Sequence, residues 1–237
     1  MEKPLSEQTA LITGGATGIG RALTEALVQG GIGNVVIAAR RQGYLEHTAK
    51  ELNAKNGRHV HTYIFDIRNQ YQTEDLVKET IEEFGAIDIL INNSGLAVPE
   101  TVTEITPEGW DKVMETNLRG AMWLAQLVLP KMIVDNFGDI VNVSSQAGKN
   151  GYADVPSYCA SKFGLLGFAE AVRDDMRKRG ANIRVFNFCP GLVDVDSPLD
   201  QPPKPGFIHV GNMAKTLMYA LSLDRNVTLE DINIYAR

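Results

Sequence analysis

The sequence predicts an α/β protein: one doubly wound parallel sheet of about seven strands with helices on both faces. Three observations carry this. Strand-like and helix-like segments alternate along the whole chain. The strands are rich in Val, Ile and Leu on both faces, as in strands sandwiched between two helical layers. A glycine-rich turn directly follows the first strand and opens the first helix, which brings backbone N–H groups to the carboxyl end of a parallel sheet.

The elements follow in order. TALIT is a short buried strand, and GIGRALTEALVQGG is a helix that stops at glycine. VVIAA is the second strand, YLEHTAKELNAKNG a helix with a glycine stop, and HVHTYIF the third strand. QTEDLVKETIEEFG is amphipathic, with Leu76, Val77, Thr80, Ile81 and Phe84 on one face. IDILINN is the fourth strand. From Pro107 to Val134 the pattern predicts one long helix, capped by Thr106, with Pro107 in the first turn where its missing N–H costs nothing. DIVNVSS is a strand, Ser157 to Arg179 a helix, and NIRVFNFC a strand. A further helix begins near Asn212, and DINIY is the last strand. No linker, repeat or low-complexity tract appears, so 1–237 is expected to form one domain. The irregular stretch from Val193 to Phe207 carries prolines at 198, 202, 203 and 205. It follows a strand on the side where ligands bind such sheets, which predicts a short Pro-rich lid over 193–211.

The 237 residues are 44% hydrophobic and 22% charged, enough apolar material for a full core. A net charge of −6 argues against nucleic acid or an acidic membrane as partner. No apolar run approaches the roughly 18 residues of a membrane span, and the polar start MEKPLSEQ does not read as a targeting segment, so a cytoplasmic protein is expected. Cys159 and Cys189 lack metal or redox spacing and predict buried thiols. The four histidines, at 47, 59, 61 and 209, form no ligand cluster, and no metal is expected. His59 and His61 flank Val60 and are expected on an exposed strand face.

Tyr158 and Lys162 stand four residues apart, and Ser145 lies thirteen residues before the tyrosine. Residues at i and i+4 share a helix face. A free phenol titrates at about 10. A neighbouring ammonium lowers that by about 1–3 units, toward the range where general acid–base catalysis is effective. A serine hydroxyl can hold and polarise a carbonyl oxygen. Alone, Y-x-x-x-K fits an ordinary amphipathic helix equally well.

The first turn reads Thr13-Gly14-Gly15-Ala16-Thr17-Gly18-Ile19-Gly20, spaced T-G-x-x-x-G-x-G. Together with N-N-S-G at 92–95, Asn117, Ser145, Tyr158-x-x-x-Lys162 and Pro190-Gly191, it strongly resembles the short-chain dehydrogenase/reductase family. The resemblance is to the short form, the group that includes the 3-oxoacyl-carrier-protein reductases, and it runs from about Thr9 to Gly191 in motif order. It implies a Rossmann-like fold in which Gly14, Gly18 and Gly20 line a pyrophosphate turn, with Thr17 and Ile19 among them. Asp66 would hydrogen-bond the adenine, with Ile67 beside the ring. Asn92 would stabilise the sheet centre, Asn93 and Gly95 would lie along the cofactor, and Pro190, Gly191 and Val193 would sit at its nicotinamide end. Ser145 would hold the substrate oxygen and Tyr158 would give or take its proton. Lys162 would lower the tyrosine pKa and bind the nicotinamide ribose, and Asn117 would hold a water leading from Lys162 to solvent. Gln146 and Tyr152 would be neighbours on the substrate side.

Cofactor choice has a physical basis. NAD-binding forms place a carboxylate at the end of the second strand, where it accepts from both ribose hydroxyls. Here that position is Ala39, followed by Arg40 and Arg41. Two cations and no carboxylate suit the 2′-phosphate of NADP(H), with Arg40 the stronger candidate. The sequence departs from the family at Val195, where a Thr commonly bonds the nicotinamide amide. The loop that follows is also shorter than the usual helical lid. The expectation is an NADP-dependent enzyme that reversibly reduces a ketone or aldehyde, its substrate a small or carrier-attached carbonyl compound. The alternatives are a dehydrogenase working toward alcohol oxidation and an NADP-binding regulator without turnover. The resemblance also implies a homotetramer or homodimer built on the helices around 107–134 and 157–179.

Overall fold

The computed structural model describes residues 3–57, 59–197 and 201–237. The chain runs through β1 (Thr9–Thr13), α1 (Gly18–Gln29), β2 (Asn34–Ala39), α2 (Gln42–Asn56), β3 (Val60–Ile64), α3 (Gln70–Phe84) and β4 (Ile89–Asn92). It continues through α4 (Pro107–Met114), α5 (Gly120–Asp135), β5 (Gly138–Val143), α6 (Pro156–Arg179) and β6 (Ile183–Pro190). The last elements are β7 (Val193–Asp194), β8 (Ile208–His209), α7 (Val210–Ser222) and β9 (Asp231–Ile234).

Seven strands form one parallel sheet in the order β3-β2-β1-β4-β5-β6-β9. This is a single-domain Rossmann-like α/β fold, as the strand composition predicts. Alternate residues feed two cores. Ile12, Ile89, Val141 and Phe186 point to the layer of α1, α2 and α7, packing with Leu23, Leu27, Leu52 and Leu217. Leu11, Leu90, Ile140 and Val185 point to the layer of α3, α5 and α6, packing with Leu76, Leu124, Val128 and Met176. β1, β5 and β6 are buried along their whole length, so apolar residues fall on both faces rather than on alternate positions. Strand order reverses between β1 and β4. In such sheets the crevice beside that reversal, at the carboxyl ends, is where ligands bind.

Two expectations are corrected. The helix from 107 to 134 is unbroken but not α-helical throughout: a π-helical turn, Glu115–Arg119, joins α4 to α5. Its centre is Asn117, which is buried, and the wider turn lets its side chain leave the helix to meet another segment. His59 and His61 are half-buried rather than exposed. His59 Nδ1 lies 3.0 Å from the Gly33 carbonyl oxygen, and the His61 ring packs on Phe84 with centroids 4.7 Å apart. β3 is an edge strand, but the end of α3 covers that face.

The Pro-rich stretch is pinned at both ends by the β7–β8 pair, Val193 to Ile208 and Asp194 to His209. Buried Asp194 organises it, accepting from the backbone N–H groups of Asp196, Ser197 and Lys204 and from the Ser197 hydroxyl. These donors hold its carboxyl well below the usual carboxylate range. Pro198, within the predicted lid, lies outside the described residues, with Leu199 and Asp200.

Candidate active site

The turn after β1 is built by steric exclusion. Gly14 and Gly18 have φ of +67° and +54°, in the left-handed region that favours glycine. A Cβ on Gly20 would stand 2.2 Å from the Gly14 carbonyl oxygen. Asn93 fastens the turn from the next strand: its Nδ2 donates to Thr13 O and Gly14 O at 2.9 and 3.2 Å. Thr17 is the N-cap of α1 but makes no side-chain capping bond. The first N–H groups of α1 therefore remain free of a side-chain cap, at an end whose dipole favours anions.

These residues open into a cleft of about 290 Å³ that is also lined by Ile19, Arg40, Arg41, Asp66, Ile67, Gly95 and Val195. Arg40 and Arg41 are exposed just beyond β2. Tyr44, which lies in none of the motifs, lines the same cleft and carries the Arg41 guanidinium 4.2 Å above its ring. Arg41 and Tyr44 are three apart, which a helix-face reading could have paired. Asp66 reaches the cleft, but its carboxylate is forked by Arg68 at 3.0 and 2.6 Å, which lowers its pKa, with Arg40 adding to the effect.

A second cavity, of about 760 Å³, adjoins the first, and Ile19, Asn93, Gly95 and Val195 line both. Ser145, Gln146, Tyr152, Tyr158, Lys162, Pro190, Gly191 and Val193 all face it. Ser145 ends the strand-to-turn passage after β5, its Oγ accepting from Ala147 N at 3.1 Å. Ser144, the competing serine, is 3% exposed, while Ser145 is half-buried. Tyr158 and Lys162 share the inward face of α6. Lys162 is 3% exposed and donates to Val143 O at 2.8 Å, with its Nζ 5.6 Å from the Tyr158 ring centre. Burial brings the lysine pKa down to about 8. Burial is also the leading influence on Tyr158 and raises its pKa, while Ser145 draws it back down. Burial, rather than Lys162, sets the direction of the phenol's shift here.

Asn117 reaches from the π turn to both sides of Leu96, accepting from its N–H at 2.9 Å and donating to its carbonyl at 2.8 Å; it also donates to Ser161 Oγ at 3.0 Å. A Cβ on Gly95 would lie 3.4 Å from Asn117 Oδ1 and 3.5 Å from Lys162 Nζ. Behind the site, matched residues of neighbouring strands form a buried ladder: Asn92 donates to Asn142, Asn142 to Asn187, and Asn187 to Asp231, at 3.0, 3.0 and 2.8 Å. The role expected for Asn92 at the sheet centre thus extends across β4, β5, β6 and β9, through residues whose in-register pairing is invisible before strand order is known. Cys159 and Cys189 are buried and free, and burial pushes the Cys189 thiol up to about 11. Among the described residues no group of three His, Cys, Asp or Glu is disposed to hold a metal, and no helix is long and apolar enough to cross a membrane.

The sequence pattern described as short chain dehydrogenase matches residues 8–203. The chain belongs to this family. It is 34% identical over 233 residues to the ketoacyl reductase HetN of Nostoc sp., covering 96% of this chain and 79% of that one. It is 32% identical over 200 residues to the 3-oxoacyl-acyl-carrier-protein reductase FabG of Thermotoga maritima, covering 84% and 80%. Among solved structures, a variant of actinorhodin polyketide ketoreductase with NADPH superposes with a TM-score of 0.86 at 28% identity, covering 96% of this chain and 95% of that one. The family places the chain among oxidoreductases.

Proposed function

We propose that this short-chain dehydrogenase is an NADP(H)-dependent reductase of ketones or aldehydes. The observation that carries the reading is the convergence of Ser145, Tyr158 and Lys162 on one cavity that opens into the glycine-turn cleft. The cleft fits a dinucleotide: Gly20 leaves no room for a side chain against Gly14, and the uncapped start of α1 suits a pyrophosphate. Arg40 and Arg41 stand where a 2′-phosphate would be read, with no carboxylate at Ala39 and with Asp66 engaged by Arg68. Bound NADPH supplies the hydride.

In this reading the chain's own residues manage the oxygen. Ser145 Oγ–H donates to the carbonyl oxygen and fixes it beside Tyr158. As the oxygen gains negative charge it takes the phenol proton. The Lys162 ammonium stabilises the phenolate left behind. Asn117 has a lone pair of Oδ1 left to hold a water near Lys162, through which the proton is replaced. The same groups run the oxidation in reverse.

Tyr158→Phe tests the reading. It removes one oxygen from a helix side chain and leaves the cleft intact. NADPH binding, followed by nicotinamide fluorescence, stays within a factor of about two, while turnover falls by roughly 10²–10⁴-fold. Substantial remaining turnover removes Tyr158 as the proton donor. We also read the apolar face formed by Met114, Leu118, Met122, Trp123 and Phe168 as an oligomer contact. Light scattering then gives a dimer or tetramer mass, and a monomer at micromolar concentration contradicts it.

A further inference from the structure

The reductase reading leaves the substrate open, and the cavity narrows it. Resting on that reading, we infer that the substrate is a neutral carbonyl compound with an extended apolar body, and that carboxylate-bearing carbonyl compounds are poor substrates. The cavity's walls beyond the Ser145–Tyr158 pair are Leu96, Ala97 and Val155. Its mouth is formed by large apolar side chains open to water: Leu192 at 66% exposure, Tyr152 at 49% and Val195 at 46%. Apolar groups gathered around one opening and left exposed mark a surface that an apolar ligand covers.

The charges lead to the same conclusion. Among the described residues lining the cavity, Lys162 alone carries a charge, and it is buried at the floor with its Nζ on the Val143 carbonyl. The nearest lid cation, Lys204, is taken up by Asp194 and Asp196 at 3.7 and 3.0 Å. Gln146 is the remaining long polar side chain on the wall, and both ends of its amide are engaged: Nε2 donates to Cys189 O at 2.6 Å, and Oε1 accepts from the Tyr235 hydroxyl. A substrate carboxylate would meet neutral hydroxyls, such as the unpaired Ser144 Oγ, and no counter-charge other than Lys162 at the floor, and a charge taken out of water without a close counter-charge is disfavoured. Ser145 and Tyr158 can serve one oxygen, the one that reacts.

The test uses the wild-type enzyme with NADPH, binding being confirmed first by nicotinamide fluorescence. Initial rates are measured on 2-alkanones from butanone to decanone, on benzaldehyde, and on 2-oxo acids of matching length. The inference predicts kcat/KM rising by about threefold per methylene as the chain covers the apolar rim. It places each 2-oxo acid at least roughly tenfold below its matched alkanone. Leu192→Arg, a change at an exposed position, then raises the rate on 2-oxo acids and lowers it on long alkanones. A 2-oxo acid equal to or faster than its alkanone, with no dependence on chain length, overturns the inference and leaves the reductase standing. Bound NADPH with no carbonyl consumed overturns the reductase reading, and the inference with it.

Discussion

The amino ends of the sheet strands and the floor of the Ser145–Tyr158 cavity bury charge in opposite ways. At the amino ends of the strands, every deeply buried charge among the described residues has a partner. Asp139, near the start of β5, accepts from Arg184 at 2.8 and 2.9 Å and from Arg225 at 2.7 Å. Asp88, just before β4, accepts from Lys3 and from the Thr9 backbone. At the carboxyl ends Lys162 is equally buried, and among the described residues it has a carbonyl rather than a carboxylate beside it. The matched charges stay fixed and hold strands together. The unmatched one is brought to about 8, within reach of a proton exchange near neutral pH.

Breaking the matched end gives the largest expected effect. Asp139→Ala leaves Arg184 and Arg225 buried without their carboxylate and costs about 3–5 kcal/mol, read as a lowered midpoint in urea. Turnover per folded molecule is unchanged, because Asp139 lies at the amino end of β5, away from the carboxyl-end cavity that Tyr158 lines. A stable but inactive Asp139→Ala would erase the contrast between the two ends. A smaller effect sharpens the cofactor side. Arg40→Ala weakens NADPH by roughly tenfold or more and NADH hardly at all, as expected from loss of a hydrogen bond to a charged phosphate. Equal losses for both in parallel fluorescence titrations contradict the 2′-phosphate assignment.

The same contrast explains what could be read from the chain alone. The parallel sheet was legible because burial on both faces leaves its mark on every residue of β1, β5 and β6. Ser145, Tyr158 and Lys162 were legible because their spacing is local to one turn and one helix. The π turn at Asn117 was not, since it adds a residue without changing the apolar pattern, and only the mild misfit of Asn in a helix hinted at it. The Asn92–Asn142–Asn187–Asp231 ladder, the Gln146–Tyr235 link and the Asp139 cluster join residues 44 to 89 positions apart. They exist only once strand order is fixed. Tyr158 also shows a limit of spacing arguments: Lys162 stands where expected, yet the burial that comes with packing, which no spacing reports, decides the phenol's direction.

Lys162→Met most directly tests whether unmatched burial is the source of the chemistry. Methionine keeps most of the apolar stem and removes the ammonium. The folded pKa of Lys162 lies below its ordinary 10.5, at about 8. The cost of burying its charge is therefore fully present below pH 8 and fades as pH rises from there toward 10.5. Thermal and urea unfolding at pH 7, with turnover measured on the same samples, gives the answer. The prediction is a variant at least as stable as the wild type, by up to about 3 kcal/mol, with turnover reduced by roughly 10²-fold or more. A stability gain that shrinks toward pH 10 completes the expected signature. A Lys162→Met chain that is markedly less stable, or that turns over like the wild type, contradicts the account.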